Sequence, residues 1–316
     1  MPAGAKVYSP AADMSTSAPP LPPALPGRPL DLDGAVGRLA VYLSEPAGEA
    51  AGRAPLLLVH SVNAAASARE MRPVWQRYAA QRPVIAFDLP GFGLSERSDR
   101  AYTPRLMTDA VHAVAQEARR RCGGRAPDLL ALSLGCEFAA RAADESPAAF
   151  RSLALVSPTG FSGTARRDGA PLSTRAVPGL HRVLSLPLWS AGLFRALTRP
   201  GVIRFFLEKT WGSRAIDEDL WQYDVAITRA PEARYAPLHF LSGSLFSADI
   251  HGIYERLALP VWMSHGSRGD FVDYRRKAAF TGRANWRFDT FDTGAMPFFE
   301  QPDAFFARYD AFLARL

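Results

Sequence analysis

Short apolar segments alternate with amphipathic segments between residues 36 and 156, and this pattern limits the chain to few folds. Segments with strand character lie at 36–43, 56–59, 83–87, 128–132 and 153–156. Helical patterning lies between them, at 69–80, 104–121 and 134–143. A strand that is apolar at every position is buried on both faces, as in parallel sheets. The alternation therefore predicts an α/β fold with a doubly wound, mostly parallel sheet.

The alternation of strand and helix patterns stops in the second half of the chain. Residues 161–255 show helical patterning without strand-like runs, and strand patterning returns after residue 260. We therefore expect one α/β core, residues 31–160 and 256–316, with an inserted helical cap, residues 161–255. Enrichment in proline, alanine and serine predicts a flexible tail over residues 1–30.

Composition narrows the class of protein. The chain has 316 residues, a net charge of +6, two cysteines and no apolar stretch long enough for a transmembrane helix. The cysteine content fits a reducing compartment, and the N-terminal residues lack the apolar core of a secretory signal, so we expect a cytoplasmic protein. No cluster of cysteines and histidines has metal-ligand spacing, and no complete nucleotide-binding glycine motif occurs, so we expect neither metal nor cofactor.

Ser133 stands where the predicted strand 128–132 passes into the predicted helix 134–143. A small residue at 131 and a glycine at 135 surround it, a pattern typical of a nucleophile elbow, where a sharp turn exposes the serine hydroxyl. The usual pattern has glycine in place of Ala131. The alternative is a serine that merely caps the helix.

Six segments, in order, resemble the α/β-hydrolase superfamily, in particular its cap-bearing, epoxide-hydrolase-like and C–C-hydrolase-like members. The matching segments are 57–61, 88–95, 133–135, 156–160, 260–270 and 294–302. The resemblance covers residues 37–160 and 256–316. It implies that Ser133 is the nucleophile, that Asp270 is the triad acid, and that the backbone N–H groups of Val62 and Leu134 form the oxyanion hole.

The histidine of this family is missing. The family's Gly-His-x-Pro-x-x-Glu-x-Pro segment corresponds to residues 294–302, where Ala295 occupies the position of the base. Without an imidazole, nothing at this position can accept the serine proton. Three explanations remain open: a natural protein without triad chemistry, an alanine substituted for histidine to trap a complex, or a base supplied by another group.

Three histidines are alternative bases, although each is more often a packed structural residue. His60 and His265 end predicted strands at the edge where the elbow projects, and His251 lies where the cap rejoins the core. The carboxylates of Glu137 and Asp292 are near the site in sequence, but we interpret them as helix-start and loop charges.

The cap region suggests the kind of partner. Residues 151–235 contain 12 basic and 7 acidic residues together with many large apolar side chains. This composition fits a lid packed on the core, an apolar substrate tunnel with a basic rim, or peripheral contact with a membrane surface. Basic residues are not clustered with stacking aromatics, so we expect no nucleic-acid partner. The oligomeric state is left undetermined.

Two hypotheses for function follow. The first is hydrolysis of a small or acyl ester-type carbonyl substrate, with a hydrophobic portion, through Ser133 and the oxyanion hole. Retention of both Ser133 and Asp270 favours it. The second is a catalytically inactive hydrolase-fold protein that serves as a ligand-binding or interaction module, and Ala295 favours this alternative.

Overall fold

One eight-stranded sheet forms the centre of the protein, and the computed structural model describes residues 21–316. The strands in chain order are β1 (Arg28–Leu32), β2 (Leu39–Ser44), β3 (Leu56–Val59), β4 (Val84–Phe87), β5 (Asp128–Leu132), β6 (Ser152–Val156), β7 (Val261–Gly266) and β8 (Trp286–Phe291). Their spatial order is β1-β2-β4-β3-β5-β6-β7-β8. Strand β2 pairs antiparallel with both β1 and β4, and all other neighbours pair parallel. The predicted α/β fold with a mostly parallel sheet is confirmed.

Helices cover both faces of the sheet because the central strands are apolar on both. The helices of the core are α1 (Arg72–Tyr78), α2 (Pro104–Arg121), α3 (Gly135–Glu145), α9 (Ile250–Arg256), α10 (Pro297–Glu300) and α11 (Pro302–Leu313). In β3, Leu57 and Val59 pack into the hydrophobic cluster shared with α2 and α3. Leu56 and Leu58 pack into the opposite cluster, shared with α1 and α11. Alternate residues of one strand thus fill two cores.

Five helices lie between β6 and α9, in the region predicted as the cap. They are α4 (Leu180–Leu184), α5 (Ser190–Leu197), α6 (Pro200–Trp211), α7 (Glu218–Ile227) and α8 (Tyr235–Leu241). Buried residues of α6 and α7 join the cluster on the α1 and α11 side of the sheet. None of the helices within residues 21–316 is long and apolar enough to cross a membrane.

The structure describes residues 21–30 of the segment predicted as a tail. Residues 1–20 lie outside the described residues. Beyond them, Ala24 and Leu25 are fully buried, and β1 begins at Arg28. Proline-rich composition favours an extended chain, and an extended chain can add a strand to the antiparallel edge of a sheet as readily as it can form a linker. Residues 21–30, which the sequence assigns to a flexible tail, thus contain two fully buried side chains and the first residues of an edge strand.

A buried charge cluster joins the amino-terminal ends of two central strands. Asp128, at the start of β5, is fully buried and accepts hydrogen bonds from the guanidinium groups of Arg82 and Arg151. The Ser152 hydroxyl donates to the same carboxylate over 2.6 Å. Both carboxylate oxygens are therefore satisfied, which a buried charge requires.

We expect Asp128→Ala to lower the free energy of unfolding by about 3–5 kcal/mol, because it leaves the buried Arg82 guanidinium without its counter-charge. Asp303→Ala removes an exposed aspartate at the start of α11 and should cost about 1 kcal/mol or less. Chemical denaturation measures both variants. Equal effects of the two substitutions would contradict a structural role for the cluster.

Candidate active site

Ser133 occupies a strained turn between β5 and α3. Its φ angle is 52°, in the left-handed region that serine rarely adopts. The backbone N–H of Ser133 donates to the carbonyl oxygen of Val156 over 2.9 Å, which holds the turn against β6. A Cβ at Gly135 would lie 2.2 Å from the carbonyl oxygen of His60, so the turn requires glycine there. The small-x-Ser-x-Gly pattern therefore has the geometry of a nucleophile elbow.

The Ser133 side chain lines a cavity of about 330 Å³ between the sheet edge and the cap. The cavity also brings together the other residues to which the sequence assigned roles: Val62, Leu134, Asp270 and Ala295. Side chains from the cap, including Leu207 and Phe246, complete the lining. This volume suits a small organic substrate.

Two backbone N–H groups beside the nucleophile have no hydrogen-bond acceptor within residues 21–316: those of Val62 and Leu134. Both residues are buried and line the cavity. An unsatisfied buried N–H is uncommon in folded proteins. Two such donors beside one serine are the arrangement that stabilises the oxyanion of a tetrahedral intermediate.

Asp270 lies four residues beyond the end of β7, and its side chain is 56 % exposed. Its carboxylate lies 3.6 Å from the Lys209 ammonium rather than beside an imidazole. The same helix, α6, binds both loops of the expected triad. The Asp270 N–H donates to the Lys209 carbonyl oxygen over 3.2 Å, and the Ala295 N–H donates to that of Thr210 over 2.8 Å. The cap thus holds the acid loop and the loop without its histidine.

The two strand-end histidines use both ring nitrogens elsewhere. His60 is fully buried, its Nδ1–H donates to the Ser61 carbonyl oxygen over 2.5 Å, and its Nε2 accepts the Leu89 N–H over 2.9 Å. His265 Nδ1–H donates to its neighbour's carbonyl oxygen over 2.8 Å, and its Nε2 accepts from Lys277 over 2.9 Å. Both therefore act as structural hydrogen-bonding groups.

His251 also lies away from the serine. It is buried in α9, and its Nδ1 accepts the backbone N–H of Arg167 over 2.8 Å. Burial lowers its pKa to about 4. Within the described part of the chain, none of the three candidate histidines lines the Ser133 cavity. Among the described residues, no alternative imidazole therefore joins Ser133 in the cavity lining.

Sequence reasoning missed Glu70, a buried carboxylate in the cavity lining. Its oxygens accept the backbone N–H and the hydroxyl of Ser61, both over 2.7 Å, and the side-chain amide of Asn63 over 3.0 Å. Ser61 and Asn63 flank Val62, so Glu70 holds the loop that carries the unpartnered Val62 N–H. In sequence, Glu70 is an ordinary polar residue at the start of a helical segment, with nothing to distinguish it.

Burial raises the pKa of the Glu70 carboxyl to about 7, although hydrogen bonds from Ser61 act in the opposite direction. The charge of the buried Asp88 also raises the pKa of Glu70. Burial raises the pKa of Asp224, and the charge of Glu70 adds to that rise. Glu137, which we interpreted as a helix-start charge, is also buried. It accepts from the Thr159 hydroxyl over 2.6 Å, and burial raises its pKa to about 7.

The basic rim, one of three interpretations of the cap composition, has a single member in the lining of this cavity among the described residues. Arg175 is the one basic side chain of the lining among the described residues. Its guanidinium lies over the Phe246 ring, 5.5 Å from the ring centre. The charge excess of the cap is therefore located elsewhere, because most arginines of the cap are exposed to solvent.

A raised carboxyl pKa makes stability depend on pH. In the unfolded chain Glu70 ionises near pH 4.5, whereas in the folded protein it stays protonated to about pH 7. Its contribution to stability is thus complete below pH 4.5 and is lost as the pH rises towards 7. We expect Glu70→Gln to remove roughly 3 kcal/mol of this pH dependence.

Chemical denaturation from pH 4.5 to 7.5 measures this effect. Glu49→Gln, at an exposed position, is the matched control and should follow the parent protein. Identical pH profiles for the Glu70→Gln variant and the parent would contradict the assignment.

Comparisons with known proteins agree with this architecture. Residues 56–308 match the model of the Alpha/beta hydrolase family. A search of curated protein sequences finds no match. Similar solved structures include a 2-hydroxy-6-oxo-6-phenylhexa-2,4-dienoate hydrolase from Rhodococcus sp. strain RHA1, with a TM-score of 0.68 and 18 % identity over 90 % of this chain and 99 % of that one.

Two further solved structures share the fold. An esterase from Exiguobacterium antarcticum has a TM-score of 0.67 and 14 % identity, over 90 % of this chain and 98 % of that one. A meta-cleavage product hydrolase from Pseudomonas fluorescens IP01 has a TM-score of 0.62 and 15 % identity, over 88 % and 94 % of the two chains. Because the family match extends over most of its length, the chain belongs to the alpha/beta hydrolase family.

Proposed function

We propose that the protein hydrolyses a small ester-type carbonyl substrate through Ser133, at a rate limited by the absence of an imidazole at position 295. The single observation that carries this proposal is the pair of unpartnered N–H groups, of Val62 and Leu134, beside a serine held at a strained φ angle. A site used only to bind a ligand has no need for donors aimed at a developing oxyanion.

The chemistry requires attack of the Ser133 oxygen on the carbonyl carbon. The Ser133 proton must reach the leaving alkoxide as the ester C–O bond breaks, and water then hydrolyses the acyl-enzyme. In a complete triad, histidine carries the proton in both steps. With Ala295 in that position, solvent carries it, and the loss is several orders of magnitude in rate.

The cavity lining indicates the kind of substrate. Apolar side chains dominate it, and Arg175 provides a positive charge. Structural relatives include a dienoate hydrolase and an esterase, so small carbonyl compounds are substrates accommodated by this fold. We infer a small substrate with a hydrophobic portion, and no metal or cofactor takes part in the proposed steps.

Restoring the histidine tests the proposal directly. We expect Ala295→His to raise kcat/KM for p-nitrophenyl esters by about a hundredfold or more, because the imidazole supplies the missing proton acceptor. Met296→His is the matched control, since it adds an imidazole to the same cavity lining one residue away. Adding Ser133→Ala to Ala295→His should abolish the gain. A gain that survives Ser133→Ala would overturn the mechanism.

The second candidate is a non-catalytic ligand-binding protein, favoured by the absence of any histidine from the described cavity lining. A fluorophosphonate probe distinguishes the two candidates because it reacts only with an activated serine. We expect slow labelling of the parent protein, faster labelling of Ala295→His and none of Ser133→Ala. Absence of labelling in both the parent and Ala295→His would leave the binding function as the better account.

A further inference from the structure

One segment of the cap contains arginines but no acidic residue. Residues 169–207 contain five arginines and no aspartate or glutamate. Arg204 pairs with Glu218 of α7. The other four, Arg175, Arg182, Arg195 and Arg199, form no ion pair with a carboxylate within the described residues 21–316. This surface therefore keeps its charge.

The same part of the cap exposes large apolar side chains. Within residues 183–189, the α4–α5 turn, Val183, Leu186, Leu188 and Trp189 are all exposed, and Leu188 is 87 % exposed. The Trp189 indole N–H donates to the Val183 carbonyl oxygen over 3.0 Å, which fixes the ring across the turn. Four exposed apolar residues within seven positions form a patch that marks an interaction site rather than scattered surface residues.

Helix α5 connects this turn to a cavity lined with arginines. Arg195 and Arg199, one helical turn apart, line it together with Arg229 and Arg234, and its volume is about 350 Å³. Glu232 is the one acidic residue of the lining. Arg234 donates to the Tyr235 hydroxyl over 2.8 Å, so it too lacks a carboxylate partner in the described part of the chain. Several guanidinium groups in one cavity suit phosphate, because each guanidinium can donate two N–H hydrogen bonds to two phosphate oxygens.

The apolar turn and the arginine cavity are adjacent. Ala191, two residues beyond Trp189, already lines the cavity. Helix α5 has eight residues, and a helix of that length measures about 12 Å. A helix of this length spans the roughly 5–10 Å over which interfacial helices bury their apolar side chains, tryptophan and leucine among them.

We propose that the cap docks on an anionic lipid surface. The α4–α5 turn inserts Leu188 and Trp189 at the acyl boundary, and the arginine cavity takes lipid phosphate groups. A second copy of the chain fits this surface poorly, because a symmetric dimer would bring the same unpaired arginines against each other. The inference rests on surface charge and exposure alone and does not depend on the chemistry of Ser133.

Vesicle co-sedimentation with the full chain tests the proposal. We expect binding to vesicles of phosphatidylcholine mixed with phosphatidylserine, weak binding to phosphatidylcholine alone, and a steep decrease with salt. The double variant Arg195→Gln/Arg199→Gln should bind the mixed vesicles about tenfold more weakly or worse. Leu188→Asp should have an effect of at least similar size, because it removes the inserted apolar group.

Matched controls make the same types of substitution outside the proposed docking surface. Leu316→Asp replaces an exposed leucine at the end of the chain, outside the cap. Arg53→Gln/Arg315→Gln removes two exposed arginines of the core without a carboxylate partner among the described residues. Both should bind like the parent protein. All substitutions are at the surface, and thermal unfolding of each variant verifies that the fold is retained.

Each alternative outcome counts against the proposal. Equal binding to neutral and anionic vesicles would show that the arginines do not recognise anionic lipid. Binding of inorganic phosphate in calorimetry, without vesicle binding, would assign the cavity to a free phosphate compound. Self-association in solution that Leu188→Asp abolishes, without vesicle binding, would make the patch a contact between copies.

Discussion

The close contact between the start of α3 and the end of β3 is the constraint on which the site depends. A Cβ at Gly135 would meet the His60 carbonyl oxygen at 2.2 Å, so only glycine permits this approach. Beside this contact, Leu134 and Val62 share one cavity lining with Ser133, whose φ is left-handed. Under the proposed function, the nucleophile and the oxyanion donors are therefore positioned by backbone geometry.

This origin explains how the site can keep most of its geometry without a base. The histidine of the family contributes a side chain, whereas the elbow and the oxyanion hole are made by backbone. Replacing one side chain by Ala295 leaves the backbone in place, and the Ala295 N–H still donates to the Thr210 carbonyl oxygen of α6. Asp270, with no imidazole to orient, lies near Lys209. Under the proposed function, the absence of the base is therefore a local change, and we expect it to be reversible.

Two buried carboxyl groups near the site, those of Glu70 and Glu137, could not be recognised from the sequence. Glu70 holds the loop of Val62 through Ser61, and Glu137 binds Thr159 of the cavity lining. Burial raises both pKa values to about 7, which couples the charge around the cavity to pH near neutrality. Neither residue has a sequence signature, because burial of a glutamate depends on which loops fold over it.

The sequence by itself determined the fold class, the order of the strands from β2 onwards, and the strand-to-helix position of Ser133, because buried parallel strands and sharp turns leave local patterns of apolar residues and glycine. The residues on both sides of Ala295 also resemble the family segment that carries the histidine, and the proposed position of the missing base rests on this resemblance. Only the tertiary structure decided that His60, His251 and His265 lie outside the cavity lining, and that β1 starts at Arg28 within the proline-rich segment. It also decided that most arginines of the cap lie away from the serine. These properties depend on contacts between residues far apart in the chain, and local sequence patterns carry no record of such contacts.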